Sequence, residues 1–385
     1  MVSKKSCFCI SFLSLVILLV VLSLSSYATE TRVSSMGGVG FYIRDNSNVF
    51  YFPGVLSSYN NQVIAELRQK GNDDLYTVGA HLPFGTNAVA GVYLNRPLYL
   101  PTEAIADVAP HLELNRTITL AYGSKLANYD VGLMVSMAMD KWSEDDGENE
   151  EKESARYFNI SAGISNQQYD LGVTLDLPSI SWDYDEAERS WGGLGFGVNA
   201  RYFMPKTDEL TLVPLGIFYY GSATAESKSE FFDSETNYGM LDLALALGLN
   251  YQLNEKNLVV LALEAFGLSQ ETEDVKEGSE TTEKYTTLPG IYLGLESQVK
   301  PWLVGRMGAS QIYQTHTRKV KPADGESMED SDYNTSFSVF FGIGINIGGF
   351  TLDASFNEGI LFDGPHFISG ISNNIANRIS ITYQF

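Results

Sequence analysis

Residues 241–251 read Leu-Asp-Leu-Ala-Leu-Ala-Leu-Gly-Leu-Asn-Tyr. Large apolar residues occupy every odd position, and small or polar residues occupy every even position. A period of two places the two sets on opposite faces of a β-strand, whereas a helix would scatter them around a cylinder. Residues 130–140 and 336–347 repeat the pattern with Val, Leu, Met, Phe and Ile on the apolar face. The chain is therefore predicted to be rich in two-faced strands.

The character of the two faces decides between a soluble and a membrane fold. A soluble β-sandwich, which is the alternative, buries its large residues and exposes its charges. Here the apolar face is nearly uniform and the opposite face is mostly Gly, Ala, Ser, Asn and Asp, as in a barrel that contacts lipid outside. After residue 28 no apolar run is long enough for a spanning helix, so a closed barrel is the remaining way across a bilayer. We predict an all-β, transmembrane antiparallel β-barrel of 14–16 strands over residues 61–385.

The connections between strands are predicted to differ at the two rims. Short turns are expected at 83–87, 165–168, 205–208, 254–257, 298–301 and 348–349. Long acidic loops are expected at 143–154, 181–190, 225–236, 269–283 and 319–332. The formal charge of −22 argues against nucleic acid as a partner. The acidic stretches lack the ligand order of an EF-hand, so they are interpreted as solvated loops.

The N-terminus has the features of a secretory signal. Lys4 and Lys5 precede an apolar run over 7–24, which is followed by Ser26-Tyr27-Ala28. This order predicts a signal peptide over residues 1–28, and a retained anchor helix is the alternative. Both cysteines, Cys7 and Cys9, lie in this segment, so the mature chain has no disulfide and no thiolate metal site.

The C-terminal strand also alternates, with Ile379, Ile381, Tyr383 and Phe385 on the outward face. It resembles the signal by which barrel-assembly machinery recognises outer-membrane proteins, with Tyr383 and Phe385 as the membrane-assembly residues. An ordinary final strand is the alternative. Together with the signal peptide, the pattern predicts the outer membrane of a Gram-negative bacterium, with its lipids and lipopolysaccharide as surroundings.

Residues 29–60 do not alternate cleanly. They contain, in order, Arg32, Met36, Gly37, Gly38, Asp45, Asn46, Asn48 and Pro53. This order resembles the FadL-like family of outer-membrane transporters for long-chain fatty acids and other hydrophobic compounds. The family usually has Asn-Pro-Ala where this chain has Phe52-Pro53-Gly54.

The resemblance implies that residues 29–60 fold inward as a hatch or plug. The hatch and gating residues it implies are Arg32, Gly37, Gly38, Asp45, Asn46, Asn48 and Pro53. Glycine allows a close backbone approach and unusual φ angles, and proline stiffens the exit toward the first strand. A tail that is ordered on the periplasmic rim is the alternative.

Alternation places eight charged residues on the inward, lumen-facing side of the wall: Asp140, Asp176, Arg201, Asp242, Glu264, Arg306, Asp353 and Arg378. Such charges must be hydrated or paired, because unpaired burial is costly. Ion pairs that hold the hatch and a cation-preferring constriction are both compatible with this set.

The sequence contains no signature of catalysis. The four histidines, His81, His111, His316 and His366, show neither an i, i+4 nor an H-E-x-x-H spacing. No catalytic residue, metal or cofactor is expected, and the chain is not expected to be an enzyme. We predict passive transport of a small hydrophobic solute, with a non-transporting scaffold for surface or secretion partners and a weakly cation-preferring porin as alternatives.

Overall fold

The computed structural model describes residues 29–70, 73–96, 108–109, 111–112, 114, 117–145, 150–184, 187–229, 233–276, 278–356 and 376–385. The signal-peptide prediction for residues 1–28, and His366, fall outside these ranges. Within them, no helix combines the length and the apolar character needed to cross a membrane.

Most of the described residues belong to β-strands. The strands are β1 (Gln62–Lys70), β2 (Asp73–Pro83), β3 (Ala88–Leu94), β4 (Thr117–Leu126), β5 (Tyr129–Asp145), β6 (Glu150–Ser165), β7 (Tyr169–Tyr184), β8 (Ala187–Tyr202), β9 (Met204–Pro205), β10 (Leu210–Lys228), β11 (Asp233–Asn254), β12 (Asn257–Val275), β13 (Glu280–Lys300), β14 (Leu303–Lys321), β15 (Met328–Ile347), β16 (Phe350–Phe356) and β17 (Ala376–Gln384).

The strands form one closed antiparallel sheet. Each pairs with its neighbours in sequence, and β17 returns to pair with β1, placing Gln62 opposite Gln384. The two-residue β9 continues β8 alongside β10, so the wall is a barrel of 16 strands, the upper end of the predicted range. Closure gives every strand a partner on both sides and leaves no open edge. We call the end where Gln62 and Gln384 meet the terminal rim, and the opposite end the far rim.

The wall is uneven in height. β10–β15 contain 19 to 22 residues each, whereas β1–β4, β16 and β17 contain 7 to 11. A tilted strand crosses a bilayer in about 9–11 residues. The far ends of β10–β15 therefore project beyond the membrane, and we call them the projecting hairpins.

The prediction of long acidic loops is wrong for most of the residues concerned. Strand pairing runs on to Asp145 and resumes at Glu150, and it runs on to Lys321 and resumes at Met328. Outside lipid a strand does not need an apolar outer face. The alternation that marks a strand in the sequence therefore stops there, while the backbone pairing continues.

Within the membrane-spanning part the two faces are as predicted. Leu133, Leu245 and Ile381 are exposed on the outer face, where they would contact acyl chains. The inner face carries Gly248 and Gly342, which lie against the N-terminal segment. This distribution matches a barrel with an apolar exterior and a filled bore.

The N-terminal segment, residues 29–60, lies inside the bore near the terminal rim. It forms a short α-helix, α1 (Glu30–Ser34), and three 3-10 helices at Val39–Tyr42, Asn46–Phe50 and Pro53–Ser58. The last of these contacts β3–β7, the first 3-10 helix contacts β10–β13, and α1 contacts β15–β17. The segment therefore extends across the bore from wall to wall and is not a tail on the rim.

A charge on the outer face should be costly only at membrane depth. We expect Leu247→Arg, in the lipid-facing part of β11, to lower the free energy of unfolding by about 2–4 kcal/mol, because the guanidinium would lie in hydrocarbon. The matched control is Tyr333→Arg, at an exposed outer position in the projecting part of β15, which should cost about 0–1 kcal/mol. Urea unfolding in lipid vesicles measures both, and equal costs would contradict the assigned membrane depth.

Candidate functional site

The seat of the N-terminal segment is built from glycines. Glycines on eight strands point inward where the segment passes, and a Cβ at any of them would press against it: Gly123, Gly132, Gly163, Gly172, Gly248, Gly294, Gly308 and Gly342. At Gly172 the added atom would overlap the backbone oxygen of Tyr51, and at Gly308 the backbone of Met36 and Gly37. At these eight positions the wall therefore has no side chain. We call the eight glycines the glycine girdle.

The segment itself adopts conformations that its sequence makes accessible. Gly37 and Gly38 have φ angles of 74° and 79°, which are strained for residues with a side chain. Asp45 begins the second 3-10 helix: its carboxylate accepts from the backbone N–H of Ser47 at 2.8 Å, and its own N–H donates to Oδ1 of Asn48 at 3.0 Å. Pro53 occupies the first turn of the last helix, where its missing N–H is not needed.

Apolar side chains of the segment are buried against the inner wall in two clusters. Phe52 and Leu56 are fully buried with residues of β3–β5, including Tyr93 and Met134. Met36 and Val39 are fully buried with Leu215 of β10 and with Val260 and Ala262 of β12. The segment is therefore fixed by packing on both sides of the bore.

Arg201 of β8 holds the middle of the segment. Its guanidinium donates to the carbonyl oxygens of Phe41 and Ile43, both at 2.8 Å, and to Oδ1 of Asn48 at 2.9 Å. The charge is balanced by Asp170, whose carboxylate accepts from Nε at 2.8 Å, and both side chains are fully buried. One wall residue thus binds the segment at two backbone carbonyl groups and at one side-chain amide.

A chain of five buried charges ties the start of the segment to β13, β14 and β16. Arg32 binds Asp45 at 3.0 Å and Glu296 at 2.7 Å. Glu296 also binds Arg306 at 2.7 Å, and Arg306 binds Asp353 at 2.6 Å. Burial alone would lower the pKa of Arg32, but Glu296 and Asp45 raise it above its ordinary value, so the guanidinium stays charged.

A third charged cluster surrounds Glu30 at the start of α1. Its carboxylate lies 3.0 Å from Arg68, 3.2 Å from Arg378 and 3.7 Å from Arg96. Burial acts to raise the pKa of Glu30, but the three guanidinium charges outweigh it and hold that pKa below its ordinary value. Glu66 of β1 lies 3.8 Å from Arg68 and 3.6 Å from Arg378 and extends the cluster into the wall.

The lumen-facing charges predicted from sequence divide into two groups. Arg201, Arg306, Asp353 and Arg378 belong to the clusters that hold the segment. The other four are placed elsewhere on the inner wall. Asp176 accepts from the hydroxyl of Tyr157 and Glu264 from that of Tyr292, while Asp140 and Asp242 are half-buried.

Several residues of the site were missed by sequence reasoning. Glu296 follows the alternation of β13 two positions after Gly294, so its inward direction was available from the pattern. In the sequence, the glycine girdle appeared only as a general excess of small residues on the inward face of the strands. Glu30 lies in the segment that has no repeat, so no periodic signal marked it.

A small cavity lies between the segment and β1–β3. Its lining combines apolar and polar side chains, among them Phe50, Ile64, Tyr93, Asn46, Arg68 and Arg96. Asn46 is only 2% exposed, yet among the described residues neither atom of its amide has a hydrogen-bond partner. Burying an amide without partners is unfavourable, so this amide is available to a bound molecule.

Toward the far rim the inner wall carries an apolar patch. Ile180 and Trp191 are buried there together with Val108 and Leu112 from the connection between β3 and β4, and Trp142 and Trp182 pack against them. An apolar surface of this kind binds apolar molecules without directional contacts. The patch and the cavity thus lie at different heights along the same bore.

At the other end of the chain, β17 completes the wall. The outward side chains Ile379, Ile381, Tyr383 and Phe385 are exposed, and the ring of Tyr383 stacks on Phe350 at 4.4 Å. The backbone N–H of Phe385 donates to Asn61 at 3.0 Å. Recognition of Tyr383 and Phe385 by assembly machinery stays a prediction.

Comparison with known proteins finds similar solved structures of low sequence identity. No protein-family model and no curated protein matches the chain. The deltaS2 mutant of the monoaromatic hydrocarbon channel TodX is 12% identical, with 94% of this chain and 100% of that chain covered at a TM-score of 0.42. The Pseudomonas putida toluene transporter TodX is 12% identical, with 93% and 98% covered at 0.40.

The translocator domain of the autotransporter NalP from Neisseria meningitidis is 13% identical, with 68% of this chain and 90% of that chain covered at a TM-score of 0.32. The 16-stranded barrel is established by the strand pairing of this chain itself.

Adding one methyl group to the girdle should loosen the segment. We expect Gly308→Ala to weaken its seating by about 1–3 kcal/mol, because the new Cβ overlaps backbone atoms of Met36 and Gly37. Amide hydrogen exchange over residues 30–60, followed by mass spectrometry, should then accelerate by about 5- to 150-fold.

The matched control for this change is Gly305→Ala on the same strand. A Cβ at Gly305 meets its nearest atom, a methyl carbon of Val299, at 3.7 Å, which is ordinary contact, so exchange in residues 30–60 should not change. Equal exchange in the two variants would show that the girdle does not seat the segment.

Proposed function

We propose that this chain is an outer-membrane channel that passively admits a small hydrophobic solute, with residues 29–60 as its hatch. The position of the segment across the bore is the observation that carries the proposal. A barrel of 16 strands leaves an aqueous channel unless something fills it. The segment fills it near the terminal rim, so a solute passes only when the segment shifts.

The way the segment is held supports a movable hatch. The contacts between the segment and the wall include ion pairs and hydrogen bonds as well as apolar packing and the close approach to the glycine girdle. Ion pairs that are buried between two surfaces contribute little net free energy, because the charges regain their hydration when the surfaces separate. Such pairs fix the position of the segment without making its displacement prohibitive.

The bore offers two successive environments to a solute. The patch around Trp142, Trp182 and Trp191 is apolar, and the cavity beside the segment adds the free amide of Asn46 to the rings of Phe50 and Tyr93. We infer a solute with a compact apolar body and at least one hydrogen-bonding group.

The same proposal implies which molecules surround the barrel in the membrane. The exposed apolar outer face suits contact with outer-membrane lipids, and lipopolysaccharide would meet the projecting hairpins. Barrel-assembly machinery would recognise the exposed Tyr383 and Phe385. The chain acts in this proposal as a channel and not as an enzyme.

A scaffold for surface partners is the second candidate, and the projecting hairpins favour it. Six strands of 19 to 22 residues extend further than transport across the membrane requires. A cation-preferring porin is less well supported, because four of the eight lumen-facing charges are engaged in holding the segment. Transport assays distinguish these functions.

A disulfide that locks the segment tests the proposal. Oγ of Ser34 on α1 lies 3.5 Å from Oγ of Ser355 on β16, and the only native cysteines lie at positions 7 and 9. We expect the double variant Ser34→Cys/Ser355→Cys to lose channel-dependent uptake of radiolabelled toluene or benzoate by Gram-negative cells when oxidised, and to regain it on reduction. The two single variants are the controls and should transport like the unmodified protein.

Two outcomes would contradict the proposal. Uptake by the oxidised double variant at the level of the single variants would show that the segment does not gate the bore. Absence of uptake by every form, with a partner protein copurifying, would favour the scaffold. Toluene has no hydrogen-bonding group and benzoate has one, so the use of both also shows whether the solute needs such a group.

A further inference from the structure

A group of side chains that could bind a metal ion lies far from the hatch, near the apolar patch. Glu151 and Glu153 are two positions apart on β6 and therefore point to the same face of the strand. His111, from the connection between β3 and β4, lies over them. One ligand atom of each of the three residues falls within 4.8 Å of the others.

His111 is attached to Glu153 at two points. Its backbone N–H donates to Oε2 of Glu153 at 3.0 Å, and its Nδ1 lies 2.7 Å from Oε1. The imidazole is stacked on Trp142, with ring centroids 4.0 Å apart. The indole N–H of Trp182 donates to Glu151 at 2.6 Å. Each of the three side chains is thus oriented by a neighbour, as metal ligands usually are.

Glu153 is a buried carboxylate whose charge a bound cation would compensate. Only 2% of its surface is exposed, and it lies next to the apolar side chains of Ala155 and Ile180. Within the described part of the chain, His111 is its one ion-pair partner, and no lysine or arginine reaches it. A buried carboxylate with so little compensation is unfavourable.

We propose that His111, Glu151 and Glu153 bind a divalent transition-metal ion of the Zn²⁺ type. One imidazole nitrogen and two carboxylate oxygens suit such an ion, and water would complete the coordination. Ca²⁺ fits less well, since it takes six to eight oxygen ligands. The bound ion neutralises Glu153 and links His111 to β6.

The sequence alone did not predict this site, and no metal was expected from it. His111 is 42 positions from Glu153, so no local spacing reveals the set. The site is independent of the hatch, because its three ligands do not contact residues 29–60. Failure of one proposal therefore leaves the other intact.

The test is metal binding by the purified full-length protein in detergent. Isothermal titration with Zn²⁺ should give one ion per chain, and Ni²⁺ should quench tryptophan fluorescence because Trp142 and Trp182 adjoin the site. We expect His111→Ala and Glu153→Gln each to weaken Zn²⁺ binding by at least about tenfold. His111 lies on a connection and not in the wall, so His111→Ala should leave heat-modifiable gel mobility, a measure of barrel folding, unchanged.

Two control variants separate this site from general attraction of cations to acidic hairpins. Glu150→Gln removes an exposed carboxylate that binds Lys152, and His316→Ala removes a histidine that is paired with Glu283. Both should bind Zn²⁺ and quench with Ni²⁺ like the unmodified chain. Weak binding of several ions that persists in His111→Ala, or the absence of any binding, would overturn the assignment.

Discussion

Closure of the backbone pairing is the constraint on which the rest of the structure depends. Lipid offers no partner to an N–H or C=O group, so the sheet must return on itself, and β17 pairs with β1. Closing 16 strands leaves a bore wide enough for water. The N-terminal segment occupies that bore, and the inner wall is shaped to receive it.

The inner wall receives the segment by two different means. The glycine girdle removes side chains where the segment's backbone passes, while arginines of the wall and of the segment link the two through buried carboxylates. The girdle sets how closely the segment approaches, and the ion pairs set its position around the barrel. Because buried ion pairs contribute little net stability, their main effect is to position the segment accurately.

Sequence predicted the membrane-spanning wall because lipid contact imposes a strict period of two, as at 241–251, and the observed 16 strands are the upper end of the predicted range. The projecting hairpins were mistaken for loops, since the period is not imposed outside lipid. Four of the eight lumen-facing charges, Arg201, Arg306, Asp353 and Arg378, lie in the clusters that hold the segment. Their partners Glu30 and Asp170, and the contact of His111 with Glu153, depend on residues distant in sequence, which no local pattern records.

The central claim is that residues 29–60 close the bore, and conductance in planar bilayers tests it most directly. The mature chain should show little or no steady conductance. The chain that lacks residues 29–60 should show large, stable steps, because the segment then no longer crosses a bore of porin size. Equal conductance with and without the segment would contradict the account.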